Sequence, residues 1–110
     1  MLLTEARFLK PAQIEFDHAA DRYDLEQPGL GLAFADCVEA TLLRAMNFPQ
    51  AGTAIDHPRL RRVVRRFQVD APFPYDLVAT VLHNEFVIIA VVHHKREPTY
   101  WIDRMANVQR

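Results

Sequence analysis

The segment Glu85-Phe86-Val87-Ile88-Ile89-Ala90-Val91-Val92 limits what this chain can fold into more than any other. Its β-branched density and its length suit a strand better than a helix. Apolar residues stand at odd positions (Val87, Ile89, Val91) and at even ones (Phe86, Ile88, Ala90, Val92). A strand alternates its side chains between two faces, so both faces of this one need cover. It runs directly into His93-His94-Lys95-Arg96-Glu97-Pro98-Thr99-Tyr100-Trp101, which crowds two imidazoles, two cations, a phenol and an indole together. Such a cluster at a sheet's rim is a way to build a site, and it is also an ordinary way to end a strand.

The other elements follow from periodicity and breakers. A strand is expected at Thr4–Leu9. Pro11 suits the first turn of a helix, where its missing N–H costs nothing. Ala12, Phe16, Ala19, Ala20 and Tyr23 then form one helical stripe, predicting a helix from Ala12 to about Glu26. Glu15 and Asp17 sit near its start, where the helix dipole favours acids. Gln27-Pro28-Gly29 breaks it. A second helix is expected over Leu30–Asn47, on the stripe Leu30, Phe34, Cys37, Val38, Thr41, Leu42, Ala45. So short a connection makes the pair an antiparallel hairpin. Residues 50–58 read as a loop, and strands are expected at Leu60–Gln68, Tyr75–Leu82 and Phe86–His93. The turn Asp70-Ala71-Pro72-Phe73-Pro74 separates the first two, and His83-Asn84 joins the last two as a tight hairpin. The order is β-α-α-β-β-β, an α+β fold with an antiparallel sheet and the helical hairpin on one face. The hairpin covers one side of the last strand. The C-terminal segment, a second copy or a partner chain is left to cover the other, and the reading carried forward gives that side to another polypeptide.

At 110 residues, half of them apolar, the chain reads as one domain with a small core. No run approaches the roughly 20 apolar residues of a membrane span. Met1-Leu2-Leu3-Thr4-Glu5-Ala6-Arg7 lacks the basic-then-apolar pattern of a signal peptide. The single cysteine, Cys37, forbids an internal disulfide and reads as a buried small hydrophobe before a nucleophile. The cytoplasm is then the default compartment, with no membrane partner. The net charge of −1 hides an asymmetry. Residues 1–57 hold nine acids and four bases, and residues 58–110 hold nine bases and five acids. The basic half suits an acidic partner or a nucleic acid, but the overall balance argues against tight nonspecific nucleic-acid binding.

Taken in order, several pieces resemble the RelE/ParE superfamily of toxins from bacterial type II toxin–antitoxin modules. They are Lys10-Pro11-Ala12 after the opening strand, the helix ending in Tyr23, Gln27-Pro28-Gly29-Leu30-Gly31, the helix Phe34–Ala45 and Asn47-Phe48-Pro49. Val63-Val64-Arg65-Arg66-Phe67, Phe73-Pro74-Tyr75 and the run Val91–Trp101 complete the set. The resemblance covers nearly the whole chain and implies the β-α-α-β-β-β fold already read from the pattern. It also implies an antitoxin that wraps the toxin with a helix and sometimes adds a strand, supplying the missing cover. Two functions occur on this fold, so fold alone does not choose between them. One branch cleaves messenger RNA on the ribosome. The other poisons DNA gyrase and is not known for a catalytic site of its own. A role in plasmid stabilisation goes with such modules.

RNA cleavage needs a base for the 2′-OH, cations for the phosphate and an acid for the leaving oxygen. The nuclease branch implies Arg66, His94, Arg96 and Tyr100 as the counterparts here. Where that branch often carries an arginine after an aromatic, this chain has Tyr75-Asp76. An aspartate there repels a phosphate by roughly 1 kcal/mol at 4 Å in water, and more when desolvated. The reading taken is therefore a ParE-like toxin that acts by binding, neutralised by a cognate antitoxin and attacking gyrase near the C-terminal strand and the helical hairpin. The alternatives are a ribosome-dependent endoribonuclease acting on mRNA, and an inert homologue that only binds partners. A homodimer is left open.

Partner-binding candidates are Arg61, Arg62, Arg65, Arg66, His93, His94, Lys95, Arg96 and Trp101. The four arginines split into one pair per strand face, either as edge protection or as a docking stripe with forks for carboxylates. His93 and His94 face opposite sides of their strand and make poor joint metal ligands, so neither a metal nor a cofactor is expected. His18, His57 and His83 read as exposed. Trp101 should lie over the sheet or against the hairpin. Phe16, Tyr23, Phe34, Val38 and Leu42 are expected in the core.

Overall fold

A computed structural model of the chain describes residues 3–109. Met1 and Leu2, which open the segment read for a leader, and Arg110, counted in the basic half, lie outside them. The elements are β1 (Glu5–Phe8), α1 (Lys10–Glu26), α2 (Leu30–Asn47), β2 (Thr53–Ala54), β3 (Val64–Gln68), β4 (Tyr75–Leu82) and β5 (Glu85–His93), followed by a 3-10 helix over Ile102–Asn107. The five strands form one sheet in the order β1-β5-β4-β3-β2. All pairs are antiparallel except β1 with β5, which is parallel.

The helical hairpin follows the breakers. α1 starts at Lys10, two residues before the expected Ala12, because Leu9 is still extended and Pro11 fits the first turn. It stops at Gln27, since the residue before a proline is pushed out of the helical region. Gly29 takes φ 90°, which a side chain would strain. Gly31 opens α2 against α1: a Cβ there would lie 2.5 Å from the Ala20 carbonyl oxygen. Its N–H, an orphan donor of the helix start, instead donates to Asp24 Oδ1 at 2.8 Å.

The first core lies between the hairpin and the sheet. Phe34, fully buried, stacks on Phe16 (5.6 Å between centroids) and meets Tyr23, Phe73 and Tyr75. Val38 is buried, and Tyr23, Leu42 and Cys37 pack half-buried around this cluster. His83 and Asn84 both take positive φ (51° and 63°), the backbone of a type I′ hairpin without its usual glycine.

Two expectations for the basic strand change. The segment 50–58, read as loop, contains β2, which pairs Thr53 with Arg66 and Ala54 with Arg65. β3 begins at Val64 and not at Leu60, and it is not an edge strand, because β2 lies outside it. Arg61 and Arg62 therefore precede the strand, and the four arginines do not form two pairs on its faces.

The larger correction concerns β5. Both its faces are covered, as its composition requires, but the second cover is the chain's own tail. Val64, Val78, Ile89, Ala90 and Val92 pack with Trp101, Met105 and Val108 in a second core. Trp101 is fully buried over the sheet, and its indole N–H donates to the Pro98 carbonyl at 2.7 Å. No open face of β5 is left for another polypeptide, so a toxin reading cannot rest on one. The tail wins because it is covalently attached and carries the largest apolar side chain available.

β5 also carries a bulge. Val78 pairs with Ala90 while Ala79 pairs with Ile88, so Ile89 is the extra residue. The bulge reverses the alternation: Phe86 and Ile88 face the helices, and beyond it Val91 does. This decides which of the two following histidines goes to which side.

Candidate functional site

The exit of β5 separates two clefts. The helix-side cleft, about 390 Å³, is lined by His18, Arg22, Tyr75, His93, Arg96 and Tyr100 among others. Arg22, on the exposed face of α1, donates to the Tyr75 hydroxyl at 2.7 Å. The His93 ring meets the Tyr75 ring edge-on at 5.0 Å, and its Nδ1 accepts from the Lys95 backbone N–H at 3.0 Å. Burial, reinforced by the charges of Lys95, His94 and Arg22, lowers the His93 pKa below the usual imidazole value. These surroundings favour its neutral form.

Behind this cleft lies a network centred on Glu15. Its carboxylate accepts from Arg104 at both terminal nitrogens (2.9 Å each), from the Val91 backbone N–H (3.0 Å) and from the Tyr100 hydroxyl. Arg104 also donates to the Ile89 carbonyl at 3.0 Å. The two side chains thus hold the edge of β5 at the bulge, past the end of β1. Burial pushes the Glu15 pKa up, but the bonds from Arg104, Tyr100 and Val91 outweigh it, and the carboxyl titrates below its ordinary value. Burial and the bond to Glu15 raise the Tyr100 phenol well above its usual range. The Tyr100 ring lies under the Arg96 guanidinium, 3.9 Å from its centroid.

The second cleft, about 590 Å³, opens on the opposite face between β2, β3 and the turn after β5. Arg66, Asp76, His94, Arg96 and Thr99 line it. His94 Nε2 lies 2.9 Å from Asp76 Oδ1, with both groups partly exposed. Opposite charges so placed form a pair when the histidine is protonated, and an oriented imidazole when it is neutral.

The four residues suggested for catalysis are therefore not gathered. Arg66 and His94 line the second cleft, Tyr100 belongs to the first, with its hydroxyl held by Glu15 and its proton held tightly, and Arg96 stands between them and borders both. Asp76 does stand in the cleft, where it engages His94. Of the partner candidates, Lys95 and Arg96 are exposed at the turn, while Arg61, Arg62 and Arg65 border a separate groove at the other end of the sheet. Trp101 is withdrawn from the candidates, because a fully buried indole offers no surface. His57 is half-buried, and its Nδ1 accepts from the Arg59 backbone N–H at 3.1 Å, a structural role. Among the described residues no cluster of three or more histidine, cysteine or acidic side chains is arranged to hold a metal ion. No helix among them is long and apolar enough to cross a membrane.

Arg22 and Arg104 were not singled out from the sequence, and Glu15 was read only as an acid near the helix start; because α1 begins at Lys10, no acid lies in its first turn, and Glu15 is held by Arg104, Tyr100 and Val91 instead of the dipole. Glu15 did carry a signal: it lies three residues after Ala12 and four before Ala19, on the buried stripe of α1, and an acid there needs a partner. Arg104 had no comparable mark, because its partner lies 89 residues away.

Comparison with known proteins adds the family. The profile described as "ParE toxin of type II toxin-antitoxin system, parDE" matches residues 6–98. A solved structure described as "Chromosomal ParDE TA system from P. aeruginosa" superimposes with a TM-score of 0.66 at 15% identity, covering 83% of this chain and 96% of that one. No significant match is found among curated protein sequences. At that identity the structural likeness speaks for the fold, and the profile, spanning most of the chain, speaks for the family. The chain belongs to the ParE toxin family of type II toxin–antitoxin systems.

Proposed function

We propose that this protein is the toxin of a type II module, acts in the cytoplasm, is neutralised by a cognate antitoxin, and poisons DNA gyrase by binding it and not through chemistry of its own. The observation that carries this reading is the separation of Tyr100 from Arg66 and His94, with Arg96 between them. Tyr100 is tied to Glu15 on the far side of β5, and an aspartate occupies the cleft where a phosphate would have to sit. General acid–base cleavage needs its groups within hydrogen-bond reach of one substrate, and the distance of Tyr100 from Arg66 and His94 speaks against the four acting together. The exposed rim at Lys95 and Arg96, next to the Arg22 side of α1, is the surface assigned to the target.

One observation favours a second reading. His94 is oriented by Asp76 at 2.9 Å, with Arg66 and Arg96 in the same cleft, which suits a ribosome-dependent endoribonuclease that dispenses with Tyr100. Purified protein added to gyrase and supercoiled plasmid should trap cleaved DNA. If it does not, and primer extension after induction shows cuts within translated codons, the endoribonuclease reading replaces the gyrase one. Blank results in both assays, with unaffected growth on induction, would leave an inert partner-binding homologue.

A further inference from the structure

The end of the sheet remote from both clefts carries a third feature. Val81 and Phe86 pair at one end of the β4–β5 ladder and Tyr75 and His93 at the other, roughly 20 Å apart at the usual rise per residue. At the Val81 end the hairpin has stopped covering the sheet, since α2 ends at Asn47. A groove of about 520 Å³ remains between Pro49, the approach to β3 and the end of β4. Its floor is apolar: Phe86 is buried, while Val63 and Val81 are 64% and 40% exposed. Arg61, Arg62 and Arg65 line it, and no aspartate or glutamate does. Among the described residues none of these three arginines has an ion pair. The Arg62 Nε is buried and has no hydrogen-bond partner among the described residues. A buried donor without a partner is uncommon and points to a group that arrives from outside.

We propose that this groove docks an acidic segment of the antitoxin punctuated by apolar residues, its carboxylates on Arg61, Arg62 and Arg65 and its apolar side chains on Val63 and Val81. The proposal rests on the reading that an antitoxin neutralises this chain. The chemistry of the groove selects the occupant. Guanidinium forks take carboxylates bidentately, and an acidic segment would neutralise the three cations together. A nucleic-acid backbone would use the arginines but leave the apolar floor bare, and the chain's net charge of −1 gives phosphates little general attraction. A second copy apposed about a two-fold axis would set three arginines against their own counterparts.

The test is titration of the purified protein with the antitoxin encoded by the adjacent reading frame, comparing wild type, Arg61→Glu/Val63→Glu and the conservative Arg61→Lys/Val63→Ile. Both positions are exposed, so the fold should persist, as far-UV circular dichroism and a thermal melt will check. The charge-reversed variant should bind roughly tenfold or more weakly, and the conservative variant should stay close to wild type. Added salt should weaken the wild type more than the charge-reversed variant. Equal affinity of wild type and charge-reversed variant would overturn the groove assignment while leaving the antitoxin reading intact. No binding by the wild type would overturn both. Intact antitoxin affinity combined with a lost dimer, or with lost binding of single-stranded DNA, would reassign the groove to a second copy or to nucleic acid.

Discussion

Replacing Glu15 with alanine tests the physical heart of this molecule. The carboxylate accepts four hydrogen bonds, from Val91, Tyr100 and both terminal nitrogens of Arg104. Alanine leaves a backbone N–H, a phenol and a guanidinium without that acceptor. A hydrogen bond to a charged group contributes about 1.5–3 kcal/mol, but four such values cannot be added, because the donors share one charge. Removing one member of a buried pair costs about 3–5 kcal/mol. The side chains of Arg104 and Glu15 keep 20% and 18% of their exposure, so water rescues part of the loss and about 3 kcal/mol is expected. A domain of this size has roughly 5–16 kcal/mol in total. With a urea slope of about 1.5 kcal/mol per M, the midpoint should fall by about 2 M. The pH dependence carries an independent sign. Because the folded pKa of Glu15 lies below its unfolded value, its contribution is fully present above the unfolded pKa of about 4.3 and fades as the pH falls through the folded value. Glu15→Gln should lose that part of the acid limb. A midpoint shift under about 0.5 M, together with near-zero coupling in a double-mutant cycle with Arg104→Met, would refute the reasoning.

Three further expectations can be checked with the same unfolding measurements. Tyr100 is raised in the folded state, so its contribution is present below the unfolded phenol pKa of about 10 and is lost as the pH rises through the folded value; Tyr100→Phe should flatten that alkaline limb. Trp101→Ala removes the largest fully buried side chain and should cost about 3–5 kcal/mol, with protease cleavage appearing beyond Pro98 in limited digestion. Gly31→Ala sets a helix-propensity gain of about 1 kcal/mol against a Cβ placed 2.5 Å from the Ala20 carbonyl; the clash should win and leave the protein about 1–2 kcal/mol less stable, whereas a stabilised variant would mean the helices part easily.

Much of the architecture was legible because it is written in short-range patterns. The stripe around Phe16 and Phe34 specifies the helix faces, Pro28 and Gly29 place the break between them, and the doubly apolar run 86–92 announces a strand covered on both sides. β2 was not legible, because two residues show no period, and the parallel pairing of β1 leaves no trace within β1 itself.

The amino-acid order alone determined how much apolar surface each element must hide and where the chain must turn. Folding in three dimensions decided which piece does the hiding: Trp101 and Met105, not a partner, close the second face of β5. It also decided, through one extra residue at Ile89 that reverses the alternation, that His93 meets Tyr75 while His94 meets Asp76. Period and propensity act over a few residues. A cover, a bulge or the pairing of Glu15 with Arg104 depends on which distant segment arrives first and packs best, and that is a property of the whole chain.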